Sequence, residues 1–456
     1  MAYLFEMKHF CGLILNTSMT YSDLQNRFKN LIDNSPMSTF QIIIVAICFV
    51  LNMNDGIDVL VVSFSGSDIT KEWGLTKTEM GYVFSAGLTG MMAGAFLLAP
   101  LGDKLGRRKV FLISLTFITS GMLLVFFCTS YTQLLLLRFL TGLGIGGILP
   151  TMAATASEFS NNKNRDFNVG LVQAGWPVGA IFTGFFCAYA IPEFGWRFAF
   201  LFAGGISLLM LIGVFVYMTD SLEFLAKKQP ENAQQKINDL LTKMGHDGIK
   251  ALPQKPTEQT AAPIKELFKP AYRNSTFKVW VAIFFGFLTL YTLMSWVPNI
   301  AKEAGLPFEM ATYVGIALNA GAAIGTASMG WVAGRLGLKK TVLSFMLLAF
   351  AVMLIYGNFT LNTAMMFVMI FFIGIFVQGG FNGMYPTISR VYPTEIRTTG
   401  VGFSIGVGRM GAILGPTLFG VLSDAGLSIQ MLFSLFSLPL LVTGLVVYSL
   451  KSENLS

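Results

Sequence analysis

Twelve stretches of this chain are each apolar for about 20 residues, the length of helix needed to cross the hydrocarbon of a bilayer. They run at approximately 40–64, 80–101, 110–129, 132–158, 167–190, 197–218, 277–300, 310–334, 340–358, 363–391, 398–421 and 428–450. We number them spans 1 to 12. Nowhere is there the long alternation of a membrane barrel. Composition agrees: 54% of the 456 residues are hydrophobic and only 12% charged. A soluble chain of this size carries about one-quarter charged residues, so soluble enzymes, secreted disulfide proteins and disordered scaffolds are poor fits. The fold class expected is an all-α membrane protein. Cys11, Cys48, Cys128 and Cys187 show neither pairing pattern nor metal spacing, and read as small core residues.

The charges give an orientation. If both termini are cytoplasmic, 25 of the 31 Lys and Arg fall in inside segments, and only Lys71, Lys77, Arg197 and Lys302 fall outside. Arg138 and Arg409 remain within spans. Membrane proteins concentrate basic residues on the cytoplasmic side. The net charge of +7 is therefore a topology signal and not a sign of nucleic-acid binding. The divisions expected are a cytoplasmic segment 1–39, six spans in 40–218, a cytoplasmic loop 219–276, six spans in 277–450 and a cytoplasmic tail 451–456. The loop is rich in Lys, Gln and Pro and reads as a linker, partly helical around 231–244. Residues 1–18 fit neither a signal peptide nor a span, which makes Met19 a candidate start. Ser22-Asp23-Leu24-Gln25 fits a capping box, and Leu24, Phe28, Leu31 and Ile32 share a helical face. This segment reads either as an amphipathic helix on the inner membrane surface or as a disordered tail.

The two sets of six spans repeat. Ala99 to Lys109, after span 2, aligns with Gly330 to Lys340, after span 8. Gly144-Ile-Gly146-Gly147-Ile-Leu-Pro150 in span 4 matches Gly379-Gly380-Phe-Asn-Gly383-Met-Tyr-Pro386 in span 10. Pro177 in span 5 matches Pro416 in span 11. The offset between matched residues drifts from 231 to 239 along the chain, as two related six-helix halves with different loops would give.

With Ala99-x-x-x-Asp103-Lys-x-Gly106-Arg107-Arg108-Lys109 after span 2, the chain resembles the major facilitator superfamily over about residues 38–450. It departs from the usual pattern at Ala99, where glycine is expected, and at Gly334, where the second half lacks the acid. Within that superfamily it resembles the aromatic acid:proton symporters. The resemblance rests on Asp55-Gly-Ile-Asp58, Arg138-x3-Gly142-x-Gly144, Tyr392-Pro-x-Glu395-x-Arg397-x-x-Gly400 and Gly408-Arg409-x-Gly411. It implies a symporter in the cell inner membrane, a monomer without cofactor, whose partners are protons and a small organic anion. Benzoate, hydroxybenzoates, protocatechuate, vanillate and cis,cis-muconate all fit.

Intramembrane charges are expensive and usually face a cavity or a partner. Asp55 and Asp58 lie three apart, on one helical face. Neighbouring acids resist joint ionisation, and His9 and His246 both lie outside the spans, so carboxylates are the available proton carriers. At 1.5 Å per residue, Asp58 and Arg138 are both roughly 9 Å from the outer surface and can pair, while Arg409 lies roughly 16 Å into span 11. Arg409 is a candidate carboxylate ligand, or else a lock to a backbone carbonyl of span 1 or 2. Proton coupling is expected of Asp55, Asp58 and Arg138. The resemblance implies that spans 1, 4, 7 and 10 line the path, which brings in Asn52, Asn54, Tyr291, Trp296, Gln378, Asn382 and Tyr385. Gln173, Trp176 and Asn319 are second choices. Asp103, Arg107, Arg108 and Glu158 in one half, and Glu395 and Arg397 in the other, are expected to gate the cytoplasmic side, with Glu158 pairing to Arg165 or to Arg107–Arg108.

No nucleotide loop, metal cluster or nucleophile triad supports an enzyme, so energy must come from ion gradients. The leading function is proton-coupled import of an organic carboxylate. The alternative is a drug or metabolite exporter, whose usual Gly-Pro in span 5 is here Gly175-Trp176-Pro177. A sensor would want a signalling domain larger than the 58-residue loop.

Overall fold

The computed structural model describes residues 20–255, 264–359 and 362–450. Met19 and Cys11 lie outside them. Among the described residues, twelve helices are long and apolar enough to cross a membrane. They are Thr39–Trp73, Lys77–Leu97, Arg107–Val125, Tyr131–Glu158, Arg165–Phe194, Trp196–Tyr217, Pro270–Glu303, Phe308–Leu336, Leu338–Asn358, Thr363–Val391, Ile396–Asp424 and Ile429–Tyr448. Large apolar side chains such as Tyr189, Leu209, Phe215 and Trp331 are more than 60% exposed on their outer faces. Water does not tolerate a surface so apolar over twelve helices, whereas lipid does. An even number of crossings puts Thr39 and Tyr448 on the same side.

Span 1 is longer than expected. Its helix runs nine residues past 64, to Trp73, because Ser65, Ser67, Asp68, Lys71 and Glu72 are polar yet compatible with helix. Gly74, in the left-handed conformation at φ 64°, ends it. Hydropathy marks the edge of hydrocarbon and not the edge of helix.

The packing repeats with the sequence. Span 2 packs on span 4, 1 on 5 and 3 on 6, and in the second half span 8 packs on 10, 7 on 11 and 9 on 12. The halves meet where span 2 packs on 11, 5 on 8 and 1 on 7. Close packing of spans 2 and 4 requires glycine: a Cβ on Gly142 or Gly146 would lie 2.0 Å from a carbonyl oxygen of span 2. Gly321 in span 8 meets span 10 in the same way. The aligned loop positions Gly106 and Gly337 both take positive φ, 96° and 79°, where a side chain would be strained.

The N-terminal helix, Tyr21–Asn34, is neither disordered nor laid on lipid. Leu24 and Phe28 are 0% and 4% exposed, and the helix packs on the linker helix Leu222–Lys228. Asp33 forms an ion pair with Arg165 at the start of span 5. The capping box is also displaced by two residues: Thr20 is the cap, and Asp23 answers it. Ser22 and Gln25 instead lie inside the helix. A second linker helix, Ala233–Lys243, buries Ile237, Leu240 and Leu241.

Candidate functional site

Span 1 carries both acids, and its neighbours give them different surroundings. Asp58 accepts two hydrogen bonds from Arg138 of span 4, Nη1 to Oδ1 at 2.5 Å and Nη2 to Oδ2 at 3.0 Å. Arg138 also reaches Thr141 Oγ1 at 3.4 Å. The pair is buried and charge-neutral, and neither residue lines the central cavity. Asp55, one turn earlier, is also buried, but it lines the cavity and its Oδ1 has no hydrogen-bond partner. Nearby, Asn52 Nδ2 donates to Val172 O at 2.7 Å, fixing span 1 against span 5.

The cavity has a volume of about 330 Å³ and sits between the halves. That is the small end of the ~300–1,000 Å³ range of ligand pockets. Arg409 of span 11 enters from the second half. Its Nη1 donates to Tyr291 Oη at 3.1 Å, and its guanidinium carbon lies 5.6 Å from the Phe287 ring centre and 5.8 Å from that of Tyr291. No backbone carbonyl of span 1 or 2 holds it among the hydrogen bonds described; its contact with span 2 is Met91 Sδ at 3.9 Å. Arg409 and Asp55 line the cavity from opposite halves.

Span 10 is broken at Gly383, between the helices Thr363–Asn382 and Met384–Val391. Pro386 has no N–H to offer the carbonyl of Asn382, and its ring crowds that carbonyl, so the helix cannot run straight through. Gln378, Phe381, Asn382 and Tyr385, at helical spacing, form one face on the cavity. Asn382 Nδ2 donates to Thr326 Oγ1 at 2.6 Å, while Gln378 Oε1 is buried without a partner. Phe381 meets Tyr385 edge-on at 5.7 Å.

The cavity thus gathers Asp55, Asn52, Tyr291, Gln378, Asn382, Tyr385 and Arg409, together with the second choices Gln173 and Trp176. Two expected lining residues are elsewhere. Asn54 faces span 6, where its Oδ1 accepts from Ser207 Oγ at 2.8 Å. It is two positions from Asn52 and so on another side of the helix. Trp296 packs edge-on against Phe84 at 5.3 Å, and its Nε1 donates to Pro416 O at 3.0 Å. Its indole therefore helps join spans 2, 7 and 11. Asn319 is fully buried and donates to Gly315 O, beyond the cavity. Thr326 and Phe381 went unrecognised. Phe381 lies three residues after Gln378 and four before Tyr385, a helical repeat that could have found it; Thr326 had no such signal, since Asn319 on its helix lies beyond the cavity.

Of the expected gate, Arg107 forms an ion pair with Glu158. Arg108 turns away from it: its Nη2 donates to Phe215 O at 2.7 Å, and its N–H to Asp220 Oδ1 at 3.0 Å. Burial pushes the Asp220 carboxyl above its ordinary range, opposed by that N–H and by the Arg108 charge. Arg165 is taken by Asp33 and so does not pair with Glu158. Asp103 is exposed. Arg397 Nε donates to Tyr392 O at 3.3 Å. The Glu395 side chain lies outside the described residues.

Hydrogen bonds between the halves cluster at the end where spans 1 and 7 finish. Ser63 Oγ donates to Met294 O and Ser295 O at 2.8 Å, and Asn299 Nδ2 to Ser63 O at 3.1 Å. Lys77 pairs with Glu303 at 2.7 Å, and Lys302 with Asp68 at 3.3 Å. The Asp424 carboxylate accepts from Lys77 N at 3.1 Å, Thr78 N at 2.7 Å and Thr78 Oγ1 at 2.6 Å. This end is sealed.

The sequence matches the family model of the Major Facilitator Superfamily over residues 44–329 and 314–454. It is 31% identical to a gallate transporter of Pseudomonas putida, over 92% of this chain and 94% of that one. It is 29% identical to a 4-hydroxybenzoate transporter of Acinetobacter baylyi, over 92% and 93%. The fold superposes on the crystal structure of a D-xylose-proton symporter with TM-score 0.73 and 14% identity, covering 91% of this chain and 99% of that one.

Proposed function

The chain belongs to the Major Facilitator Superfamily, and from that premise we propose that it is a proton-coupled importer of an aromatic carboxylate. It works by alternating access in the cell inner membrane, with both termini in the cytoplasm. The observation that carries the reading is one aromatic-walled cavity with Arg409 on one half and Asp55 on the other. The relatives named above carry gallate and 4-hydroxybenzoate.

The chemistry follows from charge. Asp55 and Arg409 are opposite charges that face one cavity from opposite halves. A substrate carboxylate takes over Arg409, aided by the Tyr291 hydroxyl beside it, because a guanidinium fork binds carboxylate in two-point fashion. Asp55 then has no cation left, and an ionised carboxylate buried without a partner is costly. Taking up a proton removes that cost. Substrate and proton therefore load together, and a single carboxylate with a single proton moves no net charge. Asp58 does not enter this cycle as a free acid, since Arg138 holds it.

The remaining lining suits an aromatic ring. Trp176, Phe381 and Tyr385 offer faces and edges to stack on, and Gln378, Asn382 and Thr326 can orient polar ring substituents. Basic residues are scarce at the sealed end, which supports assigning it to the outside.

The test is uptake by the purified protein in liposomes. A labelled hydroxylated aromatic acid should accumulate when the interior is made alkaline, and should stop accumulating when a protonophore removes the gradient. Accumulation indifferent to the gradient would refute the coupling.

A further inference from the structure

A second cavity, of about 270 Å³, lies at the inner ends of spans 3 and 6, apart from the central site. Arg108 and Lys109 open span 3, Thr219 and Asp220 follow span 6, and Lys236 and Lys243 come from the linker helix Ala233–Lys243; all six line it. Four cations here face two carboxylates, Asp220 and Asp239. Asp220 is partly used, since its Oδ1 accepts the Arg108 N–H at 3.0 Å. Lys236 and Lys243 form no ion pair among the described residues: Lys236 Nζ donates to Glu231 O at 2.9 Å, and Lys243 Nζ lies 5.5 Å over the Phe40 ring. The excess charge is positive.

Two of its lining residues also keep a buried polar atom, Arg108 Nε and Thr219 Oγ1, with no hydrogen-bond partner among the described residues. Four cations around one cavity are best met by an acceptor that shares its oxygens among them. Such an acceptor must be anionic and carry several oxygens.

The edge of the cavity says which anion. Phe215, Val216 and Tyr217, the last residues of span 6, are 63%, 61% and 53% exposed, an apolar ledge that faces lipid. Arg108 bridges ledge and cavity, with its guanidinium 5.7 Å from the Phe215 ring centre. The cavity therefore opens where hydrocarbon gives way to headgroups. Basic pockets at that depth on the cytoplasmic side suit anionic lipid headgroups. We infer that this cavity binds the phosphodiester of an anionic phospholipid, held by Arg108, Lys109, Lys236 and Thr219, with its acyl chains along Phe215 and Tyr217. A free phosphate offers the same oxygens but leaves the apolar ledge unused. The bound lipid ties the linker helix to the membrane one residue from Arg107, the partner of Glu158.

Delipidated full-length protein in detergent is titrated with phosphatidylglycerol, phosphatidylcholine or inorganic phosphate, and binding is read by native mass spectrometry and by the melting temperature. Phosphatidylglycerol should bind the wild type more tightly than phosphatidylcholine. The Lys236→Gln/Lys243→Gln double variant should lose about tenfold in that affinity. Thr219→Val should weaken it too, while melting in phosphatidylcholine stays at the wild-type value for both variants. Equal affinity for the two lipids, or full phosphatidylglycerol binding by the variants, overturns the inference. Stabilisation by inorganic phosphate equal to that by phosphatidylglycerol overturns the lipid assignment.

Discussion

Asp58 and Arg138 form a two-point ion pair inside the first half, with their side chains 1% and 3% exposed. Asp55, three residues earlier, has no such partner. Two acids on one helical face thus have different work. Asp58 ties span 1 to span 4, and Asp55 faces the cavity.

Stability should separate them. Removing one member of a buried ion pair costs about 3–5 kcal/mol, because the other charge is left stranded. Asp58→Asn and Arg138→Gln should each lower the melting temperature strongly, and the double variant should lose less than the sum. Asp55→Asn should melt at or above the wild-type temperature. If Asp55→Asn is as destabilised as Asp58→Asn, the division of labour is wrong.

Arg409→Lys keeps the charge but loses the planar fork. It should raise the KM for an aromatic acid by tenfold or more, on the order of 1.4 kcal/mol. In a competition assay the amide analogue should compete poorly with wild-type uptake. An amide that competes as well as the acid removes the carboxylate clamp from the account.

Gln378→Leu and Asn382→Leu should alter preference among ring-substituted acids more than affinity for an unsubstituted one. A buried polar group left unpaired discriminates against a ligand that cannot meet it. Asn54→Ala, whose side chain is spent on Ser207, should lower stability by about 1 kcal/mol and leave the selectivity profile unchanged. A changed profile in Asn54→Ala would return that residue to the cavity.

Asp424→Ala removes three hydrogen bonds accepted from the start of span 2. At an exposed carboxylate these bonds are screened by solvent and are worth about 0.5–1 kcal/mol each. The sealed end should open more often, seen as faster thiol labelling of a cysteine placed at Ser63 and a longer distance between spin labels at 71 and 305. Unchanged labelling and distance would mean that the seal rests on packing alone.

The twelve spans were legible because hydrocarbon thickness imposes a length that apolar runs reveal directly. Asp58 and Arg138 were legible as a pair because each is costly alone and the two sit at similar depth. Asn54 and Trp296 were not placed correctly, since knowing that a helix lines a path does not say which of its faces does so. Asn52 and Asn54 differ only by about 200° of helical rotation. The N-terminal helix was misplaced for a related reason. An apolar stripe of Leu24 and Phe28 reads the same whether lipid or the helix Leu222–Lys228 covers it. Phe381 was overlooked among so many phenylalanines, although its place three residues after Gln378 and four before Tyr385 puts it on the same helical face.

The central claim is that Asp55 carries the proton that moves with the substrate carboxylate. The most direct measurement compares wild type and Asp55→Asn in liposomes, with an imposed pH gradient in one arm and preloaded unlabelled substrate in the other. The wild type should accumulate a labelled aromatic acid in the first arm and exchange it in the second. Asp55→Asn should fail to accumulate while still exchanging, because its cavity binds and reorients without a proton to move. Gradient-driven accumulation by Asp55→Asn at the wild-type level would contradict the account.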